Sequence, residues 1–256
     1  MRTSIRGLMA ATLLAGCGLA ATPAFAEETD PPADFTVTGN AAIVSDYRFR
    51  GLSLSAGDVA VQGSINLNHS SGFYIGTWAS SLEDSAVYGH TEVDLYAGWT
   101  GAVTSGLTAD VGLLYYAYPN GHTGDANVFE PYASLTAAIG PATAKVGVAY
   151  AWDQDSLGGS DNLYLYTDIG ASIPDTPVSL SAHLGYTDGA LSPKLLADTA
   201  AGDLTPRTGG GLDWSLGATF NITDKLSVGA SYIGVEGAKV DGFSDDTVVG
   251  TLKLTF

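Results

Sequence analysis

Thr91-Glu92-Val93-Asp94-Leu95-Tyr96-Ala97-Gly98-Trp99-Thr100, the glycine-bounded link Gly101 to Gly106, and Leu107-Thr108-Ala109-Asp110-Val111-Gly112-Leu113-Leu114-Tyr115 decide the fold. Side chains of a strand point alternately to its two faces. One face of the first segment is then Val93, Leu95, Ala97 and Trp99, and the other is Glu92, Asp94, Tyr96 and Gly98. In the second segment Leu107, Ala109, Val111, Leu113 and Tyr115 oppose Thr108, Asp110 and Gly112. Charge keeps company with glycine, not with the apolar side chains. Val178, Leu180, Ala182, Leu184 and Tyr186 repeat this against Ser179, Ser181 and His183. An apolar face meeting lipid and a polar face meeting water is the pattern of a transmembrane barrel, the reverse of a soluble barrel with a packed core.

Outward from this pair, period-two alternation predicts about twelve strands. Their limits are Phe35–Phe49, Asp58–Asn68, Phe73–Ser80, Thr91–Thr100, Leu107–Tyr118, Asn127–Ile139, Ala142–Trp152, Asn162–Ile173, Val178–Tyr186, Gly211–Ile222, Leu226–Val235 and Thr247–Phe256. No helical pattern of useful length competes. Every second link is short: His69–Gly72, Gly101–Gly106, Gly140-Pro141, Pro174–Pro177 and Thr223–Lys225. The others are longer and more acidic, including Ser81–His90, Pro119–Ala126, Asp153–Asp161 and Thr187–Gly210. Short turns at one end, long loops at the other and both termini at the short end give an antiparallel up-and-down β-barrel of the outer-membrane type, an all-β fold.

Aromatics of the apolar face sort by height. Tyr47, Phe49, Tyr115, Phe129, Tyr150, Trp152, Tyr186, Trp214 and Tyr232 fall near the long loops, and Phe35, Phe73, Trp99, Phe220 and Phe256 near the short turns. Two girdles at the two membrane interfaces are expected of such barrels, so outer-membrane lipid is the expected surroundings. Val248, Gly250, Leu252, Leu254 and Phe256 alternate up to a terminal Phe, which resembles the signal read by the barrel-assembly machinery.

The N-terminal segment is read apart. Arg2 and Arg6 precede an apolar run from Leu8 to Ala21, then Pro23 and Ala24-Phe25-Ala26, with acids from Glu27. This is the order of a secretory signal peptide, residues 1–26, followed by a short segment 27–34 and the barrel from 35 to 256. Leu14-Ala15-Gly16-Cys17 also fits a lipoprotein-processing site in which Cys17 would be acylated; the apolar continuation to Phe25 favours cleavage after Ala26. The mature chain would then lack cysteine, which excludes disulfides and thiolate chemistry. Beyond Glu27 there is no apolar run of the ~20 residues a spanning helix needs. The 33 Gly and 13 Tyr beside only 14% charged residues are strand and turn material. A formal charge of −17, or −19 without Arg2 and Arg6, argues against nucleic-acid binding.

Ser45-Asp46-Tyr47-Arg48-Phe49-Arg50-Gly51-Leu52-Ser53 resembles the SDYRFRG signature of the TorF family of proteobacterial porin-like proteins. The likeness continues through Ser71–Trp78, Glu92–Trp99, Gly112–Pro119 and Asp213–Gly217, and covers essentially the whole mature chain. It implies an outer-membrane location and a channel role, and does not carry over what passes.

The polar faces gather candidate pore-lining groups. Asp46, Arg48, Arg50, Glu92, Asp94, Glu130 and Asp213 lie towards the long loops, Asp110, Lys145, Asp168 and Lys253 towards the short turns, and His183 between. Seven acids against four bases would favour cations, since rings of charge select by sign. The same residues would equally serve as ion pairs filling a narrow barrel. Arg48 and Arg50, two apart on one expected strand, point the same way and suit a carboxylate-pairing cluster or an anion-contacting step. The loop Thr187–Gly210 is about twice as long as its neighbours; it would be a surface loop, or would fold inward with Lys194 or Arg207 reaching the lumen. Catalytic motifs are missing: there is no Gly-x-Ser-x-Gly, no His-Glu-x-x-His and no phosphate loop. His183 shares a face with Ser179 and Ser181, but in a polar lumen. Asp153-Gln154-Asp155 in an outer loop would suit calcium, though so short an acidic cluster is usually just solvated. No cofactor and no enzyme activity is expected. The expected function is passive diffusion of small polar or charged solutes with a weak cation preference; the alternatives are a closed structural or interaction barrel and, behind it, a lipid-modifying enzyme.

Overall fold

The computed structural model describes residues 34–203 and 210–256. Strand β1 (Phe35–Val44) is followed by a small hairpin, β2 (Arg48–Phe49) and β3 (Leu52–Ser53). Then come β4 (Ala60–His69), β5 (Phe73–Ser81), β6 (Thr91–Thr104), β7 (Leu107–Ala117), β8 (Val128–Ile139), β9 (Ala142–Gln154), β10 (Ser160–Ser172) and β11 (Val178–Gly189). Helix α1 (Pro193–Ala200) precedes β12 (Gly211–Asn221), β13 (Leu226–Val235) and β14 (Thr247–Thr255). Twelve strands, β1 and β4 to β14, pair antiparallel with their chain neighbours, and β14 returns to β1 to close the barrel. Closure leaves no free sheet edge, the condition for backbone in hydrocarbon.

The seam is the shortest pairing of the barrel, five residues of β1 (Asn40–Val44) against Thr251–Thr255, where β1 and β4 match over ten. The chain end reinforces it. Gly39 and Phe256 exchange two backbone hydrogen bonds, 2.9 and 3.0 Å, and the Phe256 ring lies over Gly39 so closely that a Cβ there would fall 2.7 Å from it.

Outside, large apolar side chains stand exposed along each of the twelve barrel strands, among them Val37, Ile65, Leu95, Val146, Ile169, Leu184, Leu216 and Leu252. So continuous an exposed apolar surface needs lipid to cover it. Phe129, Tyr150, Trp152, Tyr186 and Tyr232 are exposed near the long loops, and Phe35, Phe73, Phe220 and Phe256 near the short turns.

Two expectations need correction. The first strand does not run to Phe49: it leaves the wall at Ser45, whose N–H donates to the Gly250 carbonyl at 2.9 Å, and turns inward. Tyr47 is therefore 2% exposed inside the barrel, and Phe49 packs on Tyr116, so neither belongs to a lipid-facing girdle. The reversal is set at Arg50 and Gly51, with φ of +46° and +81°, the left-handed pair a two-residue hairpin demands. The second correction is α1, eight residues inside the longest loop. It packs on Gly211 and Gly237, where a Cβ would come within 2.7 and 3.0 Å of Lys194. The Asp198 carboxylate accepts the Ala238 N–H at 2.8 Å. Ser192 and Pro193 begin it, which matches a helix start, but eight residues carry little periodic signal.

Candidate functional site in the lumen

Lumen polarity comes from parity, and its packing from glycine. Tyr74, Tyr96, Tyr132 and Tyr166 sit directly opposite Gly98, Gly76, Gly112 and Gly147 on the neighbouring strand. At each of these glycines an added Cβ would lie 2.2–2.4 Å from the facing tyrosine. Each tyrosine therefore takes the space that a side chain opposite would fill. Tyr164 uses Gly185 in the same way, on the diagonal. Their hydroxyls bind lumen polar groups: Tyr74 donates to Asp110 at 2.6 Å and touches the Tyr132 hydroxyl, and Tyr96 donates to Asn66 at 2.6 Å. Sequence reading set Tyr96 on this face but missed the belt. The signal available was tyrosine opposite glycine at lumen parity.

The inward loop 45–59 occupies the lumen at the long-loop end. Arg48 binds Asp46 beside it, the Asp245 carboxylate at 3.1 Å and the Asp245 carbonyl at 2.9 Å. Asp46 also accepts the Ser53 and Ser55 hydroxyls at 2.6 and 3.1 Å. Arg50 reaches across to Glu130, one Nη contacting both carboxylate oxygens at 2.7 and 2.8 Å. Its guanidinium carbon lies 4.1 Å from the centre of the Tyr164 ring, and Tyr116 donates to Glu130 at 2.9 Å. Burial works against the Arg50 charge, but Glu130 outweighs it and holds the guanidinium pKa above its ordinary value. The two arginines do share a face, yet on a folded-in hairpin instead of the barrel wall.

Lower down, His183 stands between two carboxylates, Nδ1 at 2.6 Å from Asp168 and Nε2 at 2.8 Å from Asp213. A ring donating at both nitrogens satisfies both acids, which a neutral ring cannot. Tyr164 joins at 2.8 Å from Nε2, so the ring is engaged by acids and a phenol, not by Ser179 or Ser181. Lys145 lies 5.7 Å from the Tyr166 ring centre, and Lys253 stands half-buried opposite Ala42.

Glu92 and Asp94 differ from the rest. Glu92 is 0% exposed and neither carboxylate oxygen has a hydrogen-bond partner; Asp94 is also buried, with Oδ1 unpartnered. Arg50 Nη1 and Asp213 Oδ2 are orphaned too. Lys194 pairs with Asp198 on its own helix at 3.2 Å, while Arg207, Cys17 and the whole of residues 1–26, expected to be a signal peptide, fall outside the described residues. Among the described residues no three His, Cys, Asp or Glu converge as metal ligands, and Gln154 of the outer acidic run is tied to both backbone groups of Phe129.

A family model described as a bacterial protein of unknown function (Gcw_chp) matches residues 28–256. No curated protein matches. Among solved structures, the NanC porin superposes with a TM-score of 0.57 at 9% identity, covering 86% of this chain and 99% of its own. The KdgM porin, solved in complex with disordered oligogalacturonate, gives 0.55 at 8%, covering 86% and 98%. At such identities the likeness is one of fold.

Proposed function

The chain belongs to the bacterial family of unknown function Gcw_chp, and for this member we propose a porin-like channel of the outer membrane that passes small polar or charged solutes. One observation carries the reading: an apolar outer wall encloses an interior lined with acids, bases, amides and hydroxyls. A barrel that only needed filling would be cheaper to fill with apolar side chains, since buried ion pairs often gain nothing over them. The porin fold and the likeness of Ser45–Ser53 to the TorF family support the same reading. The weak cation preference rests on Glu92 and Asp94, because Arg48 and Arg50 are each already held by carboxylates. Residues 1–26 are the export signal under this proposal.

The test is single-channel recording of the refolded protein in planar bilayers, with reversal potential under a salt gradient. Stable steps with cation preference, moved towards non-selectivity by Glu92→Gln with Asp94→Asn, are the expected result. Silence from a barrel proven folded by heat-modifiable gel mobility would sink open diffusion. A second reading would then lead: a closed structural barrel, favoured by the inward loop 45–59 and its arginines pinned to Asp245 and Glu130.

A further inference from the structure

We infer that Glu92 and Asp94, with the hydroxyls of Tyr47 and Tyr118, form a binding site for a hard, largely dehydrated cation of calcium type under the inward loop. The two acids lie two apart on β6, so both project from the same face into the lumen. Glu92 stands opposite Ser80 on one side, and Asp94 lies between Trp78 and Tyr116. Tyr47, brought in by the hairpin, and Tyr118, just past β7, place their hydroxyls beside the Glu92 carboxyl without completing a hydrogen bond of normal geometry. Burial pushes the Tyr47 and Tyr118 phenols up, and Glu92 and then Asp94 push them further, so both stay neutral oxygen ligands.

Among the described residues no ion pair answers the two acids. Arg50 pairs through one Nη with Glu130, not with either of them. Leaving buried carboxylates without a partner is costly, so either a proton shared between the two acids or a positive guest must answer them, and the oxygen donors gathered around the pair favour the guest. The guest's chemistry follows from the donors, which are all oxygen and include up to four carboxylate oxygens. That set suits a hard cation. Magnesium sheds its water reluctantly and demands a near-ideal octahedron, whereas calcium accepts irregular oxygen shells; a site this enclosed favours calcium. The inference deepens the role of the proposed filter's acids but does not require conduction, because binding is read on folded protein in detergent.

The experiment titrates terbium, then calcium and magnesium, into the refolded mature chain. Tyr47, Tyr118 and Trp78 are close enough to sensitise terbium luminescence. We expect one saturable site per barrel, displaced by calcium at lower concentration than by magnesium, with calcium also raising the unfolding temperature. Glu92→Gln with Asp94→Asn should abolish both responses while keeping heat-modifiable mobility, and Asp153→Asn with Asp155→Asn should leave both intact. Luminescence that survives the first variant and vanishes in the second would overturn the site in favour of the outer loop. A folded wild type with no response to any of the three ions would overturn it in favour of a proton shared between the two acids. Failure of conduction alone touches neither result.

Discussion

Glycine at lumen positions is where side-chain volume is controlled. The tyrosine belt fills the interior because each ring finds bare backbone opposite, and the hydroxyl then lands on an acid, an amide or another phenol. Gly147→Ala is a sharp test, since the new Cβ would fall 2.2 Å from the Tyr166 ring. Forcing an extra carbon into a packed interior costs about 1–3 kcal/mol. Urea unfolding followed by tryptophan emission should register that loss. Gly63→Ala, whose Cβ would come no nearer than 3.4 Å to the Asn40 carbonyl, should unfold close to wild type. Equal effects would mean the belt is loosely held. Period two placed charges and glycines on the lumen face, but it could not say which tyrosines pack on which glycines. That depends on register between strands, and register is written in pairings no single segment contains.

At the scale of elements, the inward hairpin β2–β3 separates an open tube from an obstructed one. Its sequence alternates like the strand before it, so Ser45–Phe49 reads as more wall. What bends it inward is tertiary: Asp245 receives Arg48 from 197 positions along the chain, and Glu130 receives Arg50 from 80. The left-handed Arg50 is a strained conformation for a non-glycine residue, held in place by the contact of one Nη with both Glu130 oxygens. Glu130→Ala would leave a buried guanidinium unpaired, a change that costs ~3–5 kcal/mol. Much of that would be relieved by releasing the hairpin rather than unfolding the barrel. The expected outcome is faster proteolysis within residues 45–59 on an otherwise heat-modifiable barrel, with larger conductance steps if the barrel conducts. A protease-resistant hairpin in this variant would show that Arg48 and its partners suffice to hold it. Helix α1 escaped the sequence for a related reason: eight residues stabilised by packing on two glycines leave almost no periodic trace.

For the whole molecule, the inside-out arrangement makes a prediction that no soluble barrel would obey. Leu216 lies midway along β12 and is 64% exposed, opposite Tyr232 on β13 and Ala182 on β11. On a soluble protein, replacing so exposed a leucine with arginine changes stability by no more than about 0.5 kcal/mol. On the lipid face of a barrel at mid-membrane, the same change costs ~2–4 kcal/mol, because the charge loses water and gains nothing. Leu216→Arg should therefore lower folding stability in phospholipid vesicles by that margin, measured by reversible denaturant titration. Leu212→Arg, four residues nearer the long-loop interface on the same face, should cost far less. The gradient between the two positions is the telling quantity. A depth-dependent penalty follows only if the apolar wall meets hydrocarbon, and two equal, small effects would mean that the exposed wall is covered by something other than a bilayer.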